Sequence, residues 1–191
     1  MVRLNKIYTR TGDGGETGLA DGSRISKAHP RSQAVGDVDE ANSTIGVALL
    51  QIVDAKARAK LARIQNELFD LGADLATPGE DFTPGEMTLR IVQDQIDRLE
   101  REIDEMNAEL EALRSFILPG GGQGSAHLHL ARTVVRRAER SAVAATAVVA
   151  LNPLALVYLN RLSDHLFVLA RRIASADGGD TLWQPGATRS R

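Results

Sequence analysis

From Leu89 to Leu113 the apolar residues Leu89, Val92, Ile96, Leu99, Ile103, Met106, Leu110 and Leu113 step by three and four in strict alternation. A strand alternates faces every residue and would scatter this set over both sides; a helix gathers it on one narrow edge. The repeat is close to 3.5 residues, and charged residues fill most of the other positions. The seam therefore predicts a helix on the outside of a bundle, touching its neighbours along a single edge.

Further segments carry helical periodicity. One runs from about Ser32 to Leu50, with Val35, Val38, Ile45 and Leu49 as its stripe. The next, from about Asp54 to Ala76, carries Ala57, Leu61, Ile64, Leu68, Leu71 and Leu75, with Phe69, Gly72 and Ala76 widening the stripe toward burial on more than one side. The Pro-Gly pairs of TPGEDFTPGEM, residues 77–87, mark a loop before the seam. After LPGGGQG, residues 118–124, Ser125 is placed to cap a fourth helix reaching about Ala150. Asn152-Pro153 stops it, and Pro153 suits the first turn of a fifth helix ending before DGGD at 177–180. No alternating strand pattern is present, so the expected fold is all-α, an up-and-down bundle of five helices. Within a single 1–191 domain, residues 1–31 form a loop, 32–177 the bundle and 178–191 a C-terminal tail.

Composition limits the chemistry. Aromatic residues make up only 4% and cysteine is absent, which excludes disulfides, thiolate catalysis and cysteine-based zinc sites. The net charge of −2 supplies no general basic field for nucleic acid. There is no run of about 18 apolar residues and no apolar leader at the N-terminus, so the chain reads as a soluble cytoplasmic protein with no membrane partner.

The glycine-rich stretch KIYTRTGDGGETGLADGSRISKAHPR, residues 6–31, holds Thr9, Thr11, Thr17 and Ser23 among Lys6, Arg10, Arg24, Lys27 and Arg31. It is too polar for a core element and reads either as a tail or as a loop that a ligand holds in place. It matches no standard phosphate loop: there is no Gly-Lys pair, and PGGGQGSAH follows a helix instead of a strand. His127 and His129 are two apart on a helix and face different ways, and Ser163-Asp164-His165 are merely adjacent, so neither set reads as a metal site or triad.

Other clusters carry more. Arg132, Arg136 and Arg140 recur one turn apart and share a helix face, where like charges oppose one another by a few tenths of a kcal/mol per pair (about 0.2–0.5). Such a stripe fits either acids on neighbouring helices, including Glu139, or a polyphosphate met by guanidinium forks. Asn160 and Asp164 interrupt an apolar helix, with Arg161 and Arg171 nearby, and fit a structural or a functional role equally. Asp37, Asp39 and Glu40 lie near a helix start, more carboxylates than capping requires. Phe116 stands beside a Gly run in FILPGG, which suits either a helix C-cap or close approach of a bulky ligand.

Taken in order, TRTGDGGETGL, RISK, GDVDEANSTIG, FILPGG, LHLARTVVRRAER and YLNRLSDHLFVLARR resemble the PduO-type ATP:cob(I)alamin adenosyltransferases over nearly the whole chain. The resemblance implies a ferritin-like, homotrimeric bundle with ATP, Mg²⁺ on its phosphates and cob(I)alamin bound between subunits. No protein side chain is implied as a metal ligand. The implied reaction transfers the 5′-deoxyadenosyl group of ATP to cobalt, giving adenosylcobalamin and triphosphate. Readings without turnover are a cobalamin carrier and a helical scaffold, the latter on the strength of the 89–113 seam.

The resemblance also implies residue roles. Thr9, Arg10, Thr11, Gly12, Thr17, Gly18 and Lys27 surround ATP in a loop that is mobile when empty, and Arg136, Arg137, Glu139, Arg140 and Asn160 complete that site. Asp39 and Arg132 are implied as a pair between subunits, and Phe116 as the residue on the lower face of the corrin. Phe116, Arg136 and Asn160 form the implied catalytic set. A flavin-type reductase and an adenosylcobalamin-dependent mutase are the implied protein partners. The chain departs from the family pattern at Gly14, where lysine is frequent, at Ala41 in place of Leu, and at Val135 in place of Cys.

Overall fold

The computed structural model describes residues 7–86 and 88–189. Lys6, which belongs to the basic set of the glycine-rich loop, and Met87 at the end of the Pro-Gly loop lie outside them. Two short strands, β1 (Glu16–Gly18) and β2 (Arg24–Ser26), precede five helices: α1 (Pro30–Leu49), α2 (Ala55–Leu75), α3 (Gln93–Asn107), α4 (Gln123–Ala145) and α5 (Pro153–Ser175).

The helix starts follow from local chemistry. Asp54 accepts from the Lys56 and Ala57 amides at the head of α2, at 2.8 and 3.3 Å. Asn152 accepts from the Leu154 amide and leaves Pro153 in the first turn of α5, as expected. Before α1, the His29 ring accepts from the Arg31 amide, and Pro30 opens the helix. The cap of α4 is Gly122; Ser125 is instead buried inside the first turn and donates back to the Gly120 carbonyl. α4 also ends at Ala145, short of the expected Ala150.

Packing order in space is α2, α1, α4, α5, α3. Asn42 and Gln65 exchange side chain-to-backbone hydrogen bonds between antiparallel α1 and α2. Asp37 meets Ser141 while Gly124 lies against Gln51 and Ile52, so α1 and α4 also run antiparallel. Arg161 pairs with Glu100 and His165 with Glu102, so α3 and α5 run parallel. An up-and-down bundle results, its core built from residues such as Ile45, Leu61, Leu71, Leu99, Leu128, Leu159 and Leu166, each about 1.5–3 kcal/mol more stable inside than exposed.

Three expectations need correction. The seam is helical only over residues 93–107; Leu89, Val92, Leu110 and Leu113 fall outside α3, Val92 as its extended N-cap. Tertiary hydrogen bonds take the ends of the repeat away from the helix. Asp74 accepts from the Ile91 amide and from Arg90, holding that stretch against α2, and Arg171 donates to the Glu111 carbonyl at the other end. Phe69 is 72% exposed, so the apolar stripe of α2 is narrower than its composition predicts. The glycine-rich stretch is a hairpin, with Glu16 opposite Ser26 and Gly18 opposite Arg24, although no strand is legible in its sequence.

The bundle is stitched by satisfied interior charges. Glu67 accepts from the Tyr158 hydroxyl at 2.8 Å and from Arg98. Glu102 accepts from Arg63 and His165, each at 2.9 Å. Burial opposes the Glu102 charge, but the hydrogen bonds from His165 and Arg63 prevail and hold its pKa at about 2. Burial pushes the His165 pKa down and the Tyr158 pKa well up, so the ring and the phenol are neutral donors to their carboxylates.

Candidate functional site

On the outward face of α4, Arg136 and Arg140 are exposed and form no ion pair among the described residues; Arg140 only donates to the Arg136 carbonyl. With Glu139, Val143 and Ala144 they line a shallow hollow. Asn160, on α5, donates to Glu139 at 3.0 Å and ties this hollow to the next helix. Acids on a neighbouring helix explain a different arginine. Arg137 points toward α1, where it meets Glu40 and lies 3.6 Å from Asp37. Asp37 is buried and also accepts from Gln33 and Ser141. Within one chain, then, Arg137 is held away from Arg136 and Arg140.

One turn toward the start of α4, Arg132 has a buried Nε with no partner, and its guanidinium lies 6.0 Å over the Phe167 ring. Burial and the neighbouring Arg136 push its pKa down, which marks a charge lacking an acid. Asp39 lies exposed on α1, and no hydrogen bond or ion pair joins it to Arg132 among the described residues.

Arg132 forms part of the wall of a largely apolar cavity of about 540 Å³, together with Leu113, Phe116, Pro119, His129 and Phe167. Phe116 is 77% exposed, a large apolar ring held open to solvent. His129 is 4% exposed, stacks edge-on against Phe167, and has an Nδ1 with no partner. Burial and Arg132 push the His129 pKa down, so the ring stays neutral. Sequence reasoning missed His129 and Phe167 as cavity residues. His129 carried a usable signal, since it lies three residues before Arg132 and so on the same helix face; Phe167 carried none beyond the scarcity of aromatics.

The N-terminal loop is ordered by its own contacts. Arg24 donates to the Thr11 carbonyl at 2.7 Å and pairs with Glu16, and Thr9 and Thr11 share a hydroxyl hydrogen bond of 2.8 Å. A side chain at Gly12 would come within 3.2 Å of the Lys27 ammonium, so glycine there lets Lys27 lie over the backbone. Lys27 itself has no acidic partner among the described residues. Arg10 adopts φ 63°, an uncommon backbone setting for a residue with a side chain. Thr17 is half-buried and Gly18 exposed within β1. Gly14 meets nothing within 4 Å and is free of positive φ, so a lysine side chain would fit. The loop is anchored to the bundle by the Ala20 amide on the Ala76 carbonyl. Among the described residues, no hydrogen bond or ion pair joins residues 9–27 to Arg132, Arg136 or Arg140 of the same chain. Nor does any group of three or more histidine or acidic residues form a metal site among them.

Comparison with known proteins gives a consistent picture. Residues 7–173 match the family model described as cobalamin adenosyltransferase. The chain is 54% identical to a corrinoid adenosyltransferase of Mycobacterium tuberculosis over 99% of its own length and 98% of the relative's. It is 43% identical to the corrinoid adenosyltransferase PduO of Salmonella typhimurium, matching 86% of this chain and 48% of that protein. Two solved structures from Lactobacillus reuteri superpose closely. One is a phenylalanine-to-alanine variant of a PduO-type ATP:corrinoid adenosyltransferase complexed with cobalamin and ATP, with a TM-score of 0.86, 38% identity, and coverage of 94% of this chain and 99% of that one. The other is an arginine-to-lysine variant complexed with ATP, at TM-score 0.83, 37% identity, and coverage of 93% and 100%.

Proposed function

The chain belongs to the cobalamin adenosyltransferase family, and from that premise we propose that it is an ATP:corrinoid adenosyltransferase. Cob(I)alamin attacks C5′ of ATP; the cobalt–carbon bond forms as the C5′–oxygen bond breaks, and triphosphate departs with the electron pair. The corrinoid substrate is itself the nucleophile, so the protein positions the reactants and stabilises the leaving charge. That division suits a site with no activated Ser, Cys or Lys.

One observation carries the reading: a single face of α4 joins two different environments. Arg132 forms part of the apolar cavity beside Phe116, and Arg136 and Arg140 follow at one-turn steps of about 6 Å on an exposed stretch where neither forms an ion pair among the described residues. A flat, largely apolar corrinoid suits the first environment and a triphosphate the second. Thr9, Arg10, Thr11, Gly12, Thr17, Gly18 and Lys27 enclose the nucleotide, with Glu139 and Asn160 fixing its orientation opposite the arginines. Mg²⁺ arrives with ATP, coordinated by phosphate oxygens.

The separation of this loop from the arginine face within one chain supports a site completed between subunits of a homotrimer. The unpaired, partly buried Arg132 and the exposed Asp39 supply a pair to close that interface. Arg137 then acts by tying α4 to α1. Phe116 presents its ring to the lower face of the corrin, where an apolar group in place of an axial donor eases reduction of Co(II). The whole reading is of a soluble cytoplasmic enzyme served by a flavin-type reductase and supplying an adenosylcobalamin-dependent mutase. Anaerobic incubation with MgATP and chemically reduced cobalamin tests it: the absorbance of adenosylcobalamin should appear with stoichiometric triphosphate, and its absence would refute the assignment.

A further inference from the structure

Phe116 poses a problem of positioning. Its ring is 77% exposed on a short irregular segment, and a side chain with so little packing around it takes its position from its backbone and its few neighbours. The residues that fix it come from beyond α5. Gly178 and Gly179, at φ 86° and 83°, turn the chain back on itself, a conformation that favours glycine at both positions. Residues 181–183 then run antiparallel beside residues 115–118, joined at an isolated bridge. The Leu118 amide donates to the Thr181 carbonyl and the Trp183 amide to the Phe116 carbonyl, both at 2.8 Å, with Ile117 opposite Leu182. The Ser115 hydroxyl donates to the Trp183 carbonyl at 2.9 Å. The Trp183 ring lies 6.0 Å from Phe116, tilted by 59°, within the range of favourable aromatic pairs.

One buried side chain secures both segments of this arrangement. Arg171, 6% exposed on α5, donates through Nε to the Asp180 carboxylate and through a terminal nitrogen to the Glu111 carbonyl, each at 2.8 Å. Asp180 leads into the strap and Glu111 into the Phe116 segment, so a single planar guanidinium sets the distance between them. Lysine, with one point of charge, lacks the fork that serves two acceptors in different directions.

We propose that Arg171 and the 180–183 strap form the positioning device for Phe116, with Trp183 backing one side of its ring and leaving the other open to the corrinoid. This rests on the adenosyltransferase reading and adds to it the residues that hold the corrinoid-facing ring in place. None of Arg171, Asp180 or Trp183 is required to contact ATP.

Trp183 is the only tryptophan of the chain, so its fluorescence reports the strap directly. The test compares the full-length protein with Arg171→Ala, Arg171→Lys, Asp180→Asn and Phe116→Ala. Trp183 is 44% exposed when docked, so its iodide quenching should rise by up to about twofold in the Arg171 and Asp180 variants, since a charge-assisted hydrogen bond that docks the strap is lost in each. Turnover from cob(II)alamin with reductant should fall about tenfold in Arg171→Ala, as expected for loss of such a bond. Turnover from preformed cob(I)alamin should fall less, and the KM for ATP should not change. Asp180→Asn, at a loop position that leaves the helical core intact, should show the same pattern in weaker form. Raised quenching with unaltered cob(II)alamin turnover would overturn the proposal, and so would unaltered quenching. If Phe116→Ala alone impairs the cob(II)alamin step, the strap is wrong and the role of Phe116 stands. If the wild-type protein makes no adenosylcobalamin, the functional reading fails and the positioning role fails with it, while quenching still reports whether the strap is docked.

Discussion

Arg63 and Arg98, between α2 and α3, lie against the buried carboxylates of Glu67 and Glu102, whereas Arg136 and Arg140, on the outer face of α4, form no ion pair among the described residues, Glu139 beside them being taken by Asn160. The two sets are chemically identical and serve opposite ends. The interior set is completed within the chain, so removing one partner leaves a buried charge uncompensated. The outer set is left open, and three guanidinium groups along one face of α4 (Arg132, Arg136 and Arg140) await an anion. An arginine stripe in a sequence is therefore ambiguous until its acids are located. Arg137, one residue from Arg136, belongs with the satisfied set because it faces Asp37 and Glu40.

The largest effect expected from breaking that contrast is on stability. Glu67→Ala leaves the buried Tyr158 hydroxyl without its acceptor and takes a shared carboxylate from the partly exposed Arg98 and Arg63, and should cost about 2–4 kcal/mol. For a chain of this length that is a fall in Tm of roughly 4–16 °C, seen by calorimetry. Turnover per folded molecule should stay near wild type; a selective loss of turnover with Tm unchanged would place Glu67 in the site instead.

Next comes the proposed contact between subunits. A double-mutant cycle of Asp39→Ala and Arg132→Ala should give a coupling energy of about 1 kcal/mol or more in turnover or assembly. Since the two residues are not paired within the chain, coupling would locate their contact across an interface. Strictly additive effects would remove the pair, and a light-scattering mass equal to one chain would remove the trimer.

A smaller effect is carried by pH. The Glu102 pKa of about 2 lies below its ordinary 4.5, so its contribution to stability is complete above 4.5 and is lost as pH falls toward 2. The His165 pKa is depressed by burial, so the unfolded chain takes up a proton below about 6.5 that the native state resists, and stability again falls with acid. Urea midpoints across this range should decline monotonically from pH 7 to 3. In Glu102→Gln the decline below pH 4.5 should be shallower, and an unchanged slope would contradict the low pKa.

The smallest expected effect concerns the loop. Gly14→Lys meets open space, so it should fold normally and lower the KM for ATP by a factor of about 2–5, the worth of one added exposed charge near phosphate. A raised KM would mean that Gly14 approaches the nucleotide more closely than a side chain permits.

Much of the fold was legible because helical periodicity and caps are local signals. Asn152-Pro153 and the stripe of α2 were readable directly, and the six ordered motifs pointed to the family. The ends of the 89–113 seam were not, because Asp74 and Arg171 reach them from distant parts of the chain and override a sound local repeat. The β1–β2 hairpin was hidden because three-residue strands held by Arg24 leave no alternating pattern to detect. In the site, the face of Arg132, Arg136 and Arg140 was readable from spacing alone. The split between Arg136 and Arg137 was not, since it depends on which neighbour each meets. Trp183 escaped notice because its importance lies in a pairing between segments more than sixty residues apart.

The most direct measurement is the steady-state turnover of an Arg136→Ala/Arg140→Ala variant with MgATP and cob(I)alamin, beside its Tm. Removing the open guanidinium pair should lower kcat/KM for ATP by at least about 10²-fold, the usual worth of a donor aimed at developing charge, with Tm held within about 2 °C. Wild-type turnover, or a loss of turnover matched by a collapse in Tm, would show that these arginines belong with the structural set and that the triphosphate is held elsewhere.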